Sequence, residues 1–340
     1  MRTSLAAAAI SLAVLGCSAD SDTASDGLSL AMEPLDLAPG EEWDGMCQSF
    51  TLDNDDWIYV NAVSLATDGG FHHSNWFHVP DNQYEGPDGL WPCEDRGFSE
   101  PIAAAVGGVL FAQSTQSTDE TMQFPEGVVI PIPPKSKIVG GVHVLNATGE
   151  PLATTLRMDV ASLPEAEVDT MLSGLSLEIQ SIALPERSRS SFGTACSLAA
   201  EHERQLERPM DFSIYYVLPH YHDLGRGLTV EATGGPGGDT VVFDNAAGVG
   251  DPLGKQIEPA FDMTGYGGLR FSCHYDNPRD EVVRWGIGDQ EMCVFLAFTD
   301  SELLWGGGVL GGEPGELEMR NGVPHFEREC FLLSYPSSHF

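Results

Sequence analysis

Ten histidines occur in the 340-residue chain, and three of them, His72, His73 and His78, fall in one short stretch, GGFHHSNWFHVP at 69–80. Imidazoles bind borderline transition metals well, so histidine spacing is the first chemistry to weigh. Adjacent side chains on a regular strand point to opposite faces. His72 and His73 therefore reach one metal only if the chain bends there, or if the rings bind through different nitrogens. Gly69 and Gly70, just before the pair, permit an unusual backbone. His143 lies in GGVHVLN, among apolar residues. His220 and His222, in LPHYHDLGRG, are spaced to project from one face of a strand as a bidentate platform. Met292, in GDQEMCVFLAFT, is either a core methionine or a thioether ligand. A thioether beside two imidazoles selects copper and favours Cu(I). A lone inward histidine is more often a hydrogen-bonded core residue, so each candidate alone keeps both readings open. His78, His202, His274, His325 and His339 offer weaker patterns.

The elements that would position these residues are mainly strands. KIVGGVHVLNAT (137–148) puts Ile138, Val142 and Val144 on one face and Val139, His143 and Leu145 on the other. RFSCHY, EVVRWGIG and EMCVFLAFT alternate in the same way. Gly (38) and Pro (22) are frequent, which favours short strands and turns over long helices. Two stretches read as short helices, 162–175, with Ser162 as cap and Glu165 three residues on, and roughly 195–207. The pattern predicts an all-β chain of two antiparallel β-sandwich domains in tandem, at 41–175 and 176–340.

The charge balance narrows the partners. Sixteen Lys and Arg face 51 Asp and Glu, a formal charge of −35. Such a surface repels nucleic acid and anionic lipid headgroups. At the N-terminus, Arg2 precedes an apolar run at 5–15 that is too short to span a bilayer and ends in VLGC. Residues 1–17 read as a bacterial lipoprotein signal peptide with Cys17 as the lipidated residue, and 18–40 as a flexible tether. The chain is expected in the cell envelope of a bacterium, attached to membrane only through that lipid. Six cysteines remain, Cys47, Cys93, Cys196, Cys273, Cys293 and Cys330. An even number in an exported protein implies disulfides, and six allow 15 pairings.

Taken in order, C…HH…C…H followed by C…HxH…C…MC…C resembles the copper type II, ascorbate-dependent monooxygenases, the family of peptidylglycine α-hydroxylating monooxygenase and dopamine β-monooxygenase. The resemblance spans roughly 45–335 and is strongest in HYHDLGRGLTVEA and DQEMCVFLAFT. It implies two jelly-roll-like domains with one copper each. His72, His73 and His143 would hold the copper that relays electrons. His220, His222 and Met292 would hold the copper at which O₂ is activated. Ascorbate or another one-electron donor would be the co-substrate. The resemblance also implies the pairings Cys47–Cys93, Cys273–Cys293 (across neighbouring strands) and Cys196–Cys330. The last would close a long loop, worth about 4–5 kcal/mol in the chain-entropy model.

The departures bear on substrate. Leu218 stands where peptide-amidating members have an arginine, and Val294 and Leu296 where they have an asparagine and a tyrosine. Ser74 replaces a methionine that follows the HH pair in many members, and one family disulfide is missing as a pair. The expected substrate is therefore an apolar small molecule rather than a peptide carboxylate. The alternatives are a non-catalytic copper-binding lipoprotein, for sequestration or delivery, and a binding or adhesion sandwich whose histidines are structural.

Overall fold

The computed structural model describes residues 27–113, 117–248, 252–286 and 289–337. The signal segment, Cys17 and the first part of the expected tether, 18–26, lie outside them. Among the described residues the fold is all-β, with α-helix only at Glu100–Val106 and Leu198–Leu206. Each half of the chain is a sandwich of two sheets.

In the first sandwich, one sheet runs Gly89–Pro92, Glu42–Thr51, Ser136–Leu145, Phe71–Pro80, Gly108–Ala112. The facing sheet runs Leu28–Ala31, Leu156–Leu163, Ile58–Thr67, Val128–Ile132, Thr170–Met171. Alternation decides what each strand buries. Ile138, Val142 and Val144 enter the core with Val60, Val63, Leu65 and Trp76, while Val139 joins Phe77 and Trp91 on the outer face. That division matches the sequence pattern.

In the second sandwich, one sheet runs Lys255–Asp262, Ser213–His220, Val294–Thr299, Ser173–Ile179, Leu303–Val309, Phe331–Pro336. The other runs Thr240–Asn245, Gly225–Thr233, Gly268–Asn277, Ser188–Cys196, Val323–Glu329, Glu316–Arg320. Leu175, Leu177 and Ile179 point into its core, and Ser176 and Glu178 point out.

Several expectations are corrected. Leu28–Ala31 pairs with Leu156–Leu163 and Leu35–Leu37 pairs with Leu152–Thr154, so the first sandwich begins before residue 41 and this part of 18–40 is not a tether. The changeover between the sandwiches, by contrast, falls close to the expected boundary, near Leu172: its N–H bonds to Val129 O, whereas Ser173 pairs with Thr299. No helix spans 162–175, where Ser162 and Leu163 extend a strand and only a 3₁₀ turn, Glu165–Glu167, follows. All three disulfides form as the resemblance implies, Cys47–Cys93, Cys196–Cys330 and Cys273–Cys293. Cys273–Cys293 ties the two sheets of the second sandwich together rather than neighbouring strands of one sheet.

The sandwiches pack on each other. Tyr216, Leu218 and Phe298 leave the second sandwich and join the apolar cluster of the first. Phe124 meets Phe298 and Tyr216 edge-on, with ring centroids 5.4 and 6.0 Å apart. Such edge-to-face pairs stabilise beyond the area they bury.

Candidate metal centre

Phe71–Pro80 pairs antiparallel with Ser136–Leu145, and the ladder sets His143 opposite His73. The register then shifts, so that Val144 pairs with Phe71 and His72 is an extra residue in its strand. This is a β-bulge, a device that bends a strand and re-aims its side chains. It supplies the bend that two adjacent histidines require. Gly69 and Gly70 sit at φ +95° and +76° in the turn between the two sheets. A Cβ on Gly70 would also lie 2.6 Å from Leu152 Cδ2, so both dihedral and space call for glycine. The three rings converge, with centroids 4.8 Å apart for His72–His143, 5.3 Å for His73–His143 and 5.5 Å for His72–His73.

The second group forms differently from the expectation. His220 ends the strand Ser213–His220, on the side chain face shared with Tyr216 and Leu218, and so is turned toward the first sandwich. His222 lies beyond the strand, in the loop that leads to Gly225–Thr233. The two rings stand nearly perpendicular, 5.3 Å apart. Met292 and Cys293 likewise precede the strand Val294–Thr299 instead of lying on it.

The two groups abut. His72 lies 5.2 Å from His222, and His73 lies 5.4 Å from His220 and 6.1 Å from His222, between ring centroids. One ring nitrogen from each of His72, His73 and His222 comes within 4.8 Å of the others.

Hydrogen bonds select the nitrogens available to a metal. His143 Nε2 donates to Glu42 Oε1 at 2.7 Å, which turns its Nδ1 lone pair inward. His222 Nδ1 donates to the Gln290 carbonyl at 2.9 Å, which leaves Nε2. A carbonyl only accepts, so that tautomer follows. His72 Nδ1, both ring nitrogens of His73, His143 Nδ1 and His222 Nε2 are buried and meet no hydrogen-bond partner among the described residues. Buried polar atoms seldom stay unpaired, and a cluster of imidazole lone pairs is the donor set of a metal site.

Electrostatics agree. Burial, then repulsion from His222 and His143, pushes the His72 imidazole down to about 4. Burial and the neighbouring rings hold His73 well below the ordinary value. Burial also lowers His222, against the opposing pull of the Gln290 carbonyl. These rings are neutral at pH 7, the state in which imidazole ligates.

Two supporting residues were not singled out by sequence. Glu291 is buried and accepts N–H bonds from His222 at 2.9 Å and Leu224 at 2.6 Å. Burial pushes its carboxyl up to about 7, against those donors. It thus ties the His222 loop to the segment that carries Met292. The Met292 carbonyl itself accepts from Tyr275 Oη at 2.5 Å. Glu291 lies inside the EMC stretch, so its position was visible and its role was not. Glu42 belongs to no motif. Of the weaker histidines, His78 sits five residues beyond His73 against the Gly108 backbone. His274 bonds Ser191 and Thr229, and His202 bonds the Arg208 carbonyl.

No family profile matches the chain, and no curated protein matches it. Among solved structures it is similar to the major capsid protein P2 of bacteriophage PM2, at 10% identity over 80% of this chain and 97% of that one, TM-score 0.31. It is also similar to the PBCV-1 protein VP54, at 8% identity over 89% and 97%, TM-score 0.27. A third is the PBSX exported protein XepA, at 7% identity over 80% and 86%, TM-score 0.23. Likeness at this level carries no argument about function.

Proposed function

We propose that this chain is a copper-dependent monooxygenase that hydroxylates a C–H bond of an apolar small molecule, using O₂ and a one-electron donor such as ascorbate. The observation that carries the proposal is the convergence of His72, His73 and His143 with His222, distant in sequence, on one set of buried ring nitrogens without hydrogen-bond partners among the described residues. The ordered resemblance to the copper type II, ascorbate-dependent monooxygenases supports it independently. His72, His73 and His143 would hold one copper, and His220, His222 and Met292 the other. Bound copper would supply one-electron redox cycling and O₂ activation, with one oxygen atom entering the C–H bond and the other leaving as water. The chain's own residues prepare that site. Glu42 and the Gln290 carbonyl fix two imidazoles in their ligating tautomers. Glu291 orders the His222 loop, and Tyr216, Leu218 and Phe298 keep the boundary between the sandwiches apolar.

The test is copper reconstitution followed by ascorbate-driven O₂ uptake across a panel of apolar substrates. Met292→Ala should abolish product while copper stays on His72, His73 and His143. A fully active Met292→Ala protein would overturn the ligand assignment.

A second reading is a non-catalytic copper-binding protein for sequestration or delivery. It is favoured by one observation: Leu218, at the family's substrate-clamp position, is buried against the first sandwich. Stable copper binding with no coupled O₂ uptake for any substrate would select it. The three disulfides fit an oxidising compartment. No described helix is long and apolar enough to cross a membrane. Export as a bacterial envelope lipoprotein anchored through Cys17 belongs to the same proposal, and mass measurement of the mature N-terminus tests it.

A further inference from the structure

We infer that His72, His73 and His222 form a third ligand set, spanning the two sandwiches, that takes a single closed-shell cation such as Cu(I) or Zn(II). This goes beyond the assignment of one copper to each domain and does not depend on hydroxylase activity. Three observations carry it.

First, the three donor nitrogens lie within 4.8 Å of one another. Three imidazole nitrogens about 2.0–2.1 Å from one ion stand roughly 3.3–3.6 Å apart, so ring rotations that shorten the spacing by about 1.3 Å complete the site. Second, the partners outside the cluster leave these nitrogens to the ion. His222 is committed through Nδ1 to Gln290 and offers only Nε2, and both ring nitrogens of His73 are buried with neither bonded. Third, His72 stands almost equally close to rings of both domains, with centroids 4.8 Å from His143 and 5.2 Å from His222. His72 and His73 can thus recruit their third imidazole from either side. In the packed arrangement His143 and His222 therefore compete for an ion held by His72 and His73. A closed-shell ion imposes no ligand-field geometry, so it tolerates that exchange.

The test is an anaerobic titration of the folded chain with Zn(II), and separately with Cu(I), against a chromogenic chelator. His222→Ala and His73→Ala should each weaken the first metal equivalent on the order of a hundredfold, while His143→Ala should weaken it by less than about tenfold. X-ray absorption at one equivalent should report imidazole nitrogen and no sulfur. The inference is overturned if His143→Ala matches His73→Ala and His222→Ala leaves the first equivalent unchanged. Sulfur in that first shell also overturns it, because the ion would then sit with Met292. His222→Asn, checked for an unchanged melting temperature without metal, guards against loss of fold. Zn(II) supports no redox chemistry, so this result stands apart from the O₂-uptake assay, and either proposal can fail alone.

Discussion

The two histidine groups are built by different means. His73 and His143 face each other across a continuous ladder, and one bulge adds His72. Their positions are set by backbone pairing along whole strands. His220 ends a strand, and His222 sits in a loop whose shape depends on one buried carboxylate, Glu291, and on the nearby Cys273–Cys293 bridge. A ladder spreads the work of positioning over many bonds, whereas a loop concentrates it in a few. The second group should therefore be easier to disrupt by a single change, and the first more tolerant.

That contrast can be broken most directly at Glu291. Glu291→Ala leaves the buried N–H groups of His222 and Leu224 unpaired, at about 1–3 kcal/mol each. Denaturant unfolding should report a loss of about 2–6 kcal/mol, and metal analysis should show copper retained on His72, His73 and His143 alone. Equal loss of both coppers would mean that the two groups are not independent. Replacing both Cys273 and Cys293 by Ala removes a crosslink across 20 residues of chain, expected to cost about 3 kcal/mol, with the effect again falling on the second group.

The first group has its own weak point in the turn before the bulge. Gly70→Ala meets both a positive φ and Leu152, and should destabilise by about 1–3 kcal/mol in thermal unfolding. Copper affinity of the trio should change little if the ladder holds it. Glu42→Ala is expected to be milder for stability, because Glu42 is partly exposed. It should still weaken copper on His143 by roughly 10-fold through loss of ring orientation, read by chelator competition.

The smallest expected effect lies at the boundary between the sandwiches. Burial pushes the Glu100 carboxyl up, opposed by the Asn75 amide and assisted by nearby Glu178. The folded chain thus holds this proton more tightly than the unfolded chain. Stability is greatest below the ordinary carboxyl range and falls as pH rises through the raised value. Glu100→Gln should flatten that fall, being the more stable protein at about pH 7.5 and indistinguishable near pH 4. Urea midpoints at the two pH values check the sign.

Much of the fold was legible because alternation is a local signal. Ile138, Val142 and Val144 face the core as their spacing says. The helix expected from Ser162 and Glu165 does not form, because Leu156–Leu163 gains more from pairing along Ile58–Thr67 than a short capped segment gains alone. The strands at Leu28–Ala31 and Leu35–Leu37 are too short to announce themselves and exist through their partners. Glu42 could not be found from sequence, since its link to His143 crosses 101 positions without a motif.

The sequence by itself determined which residues can ligate, that strands carry most of them, and, through the resemblance, how the cysteines pair. Tertiary structure alone decided that the two histidine groups meet. That meeting depends on Tyr216, Leu218 and Phe298 packing into the first sandwich, an association of surfaces remote in sequence. Local periodicity records which face of a strand is apolar, but not which other surface will cover it.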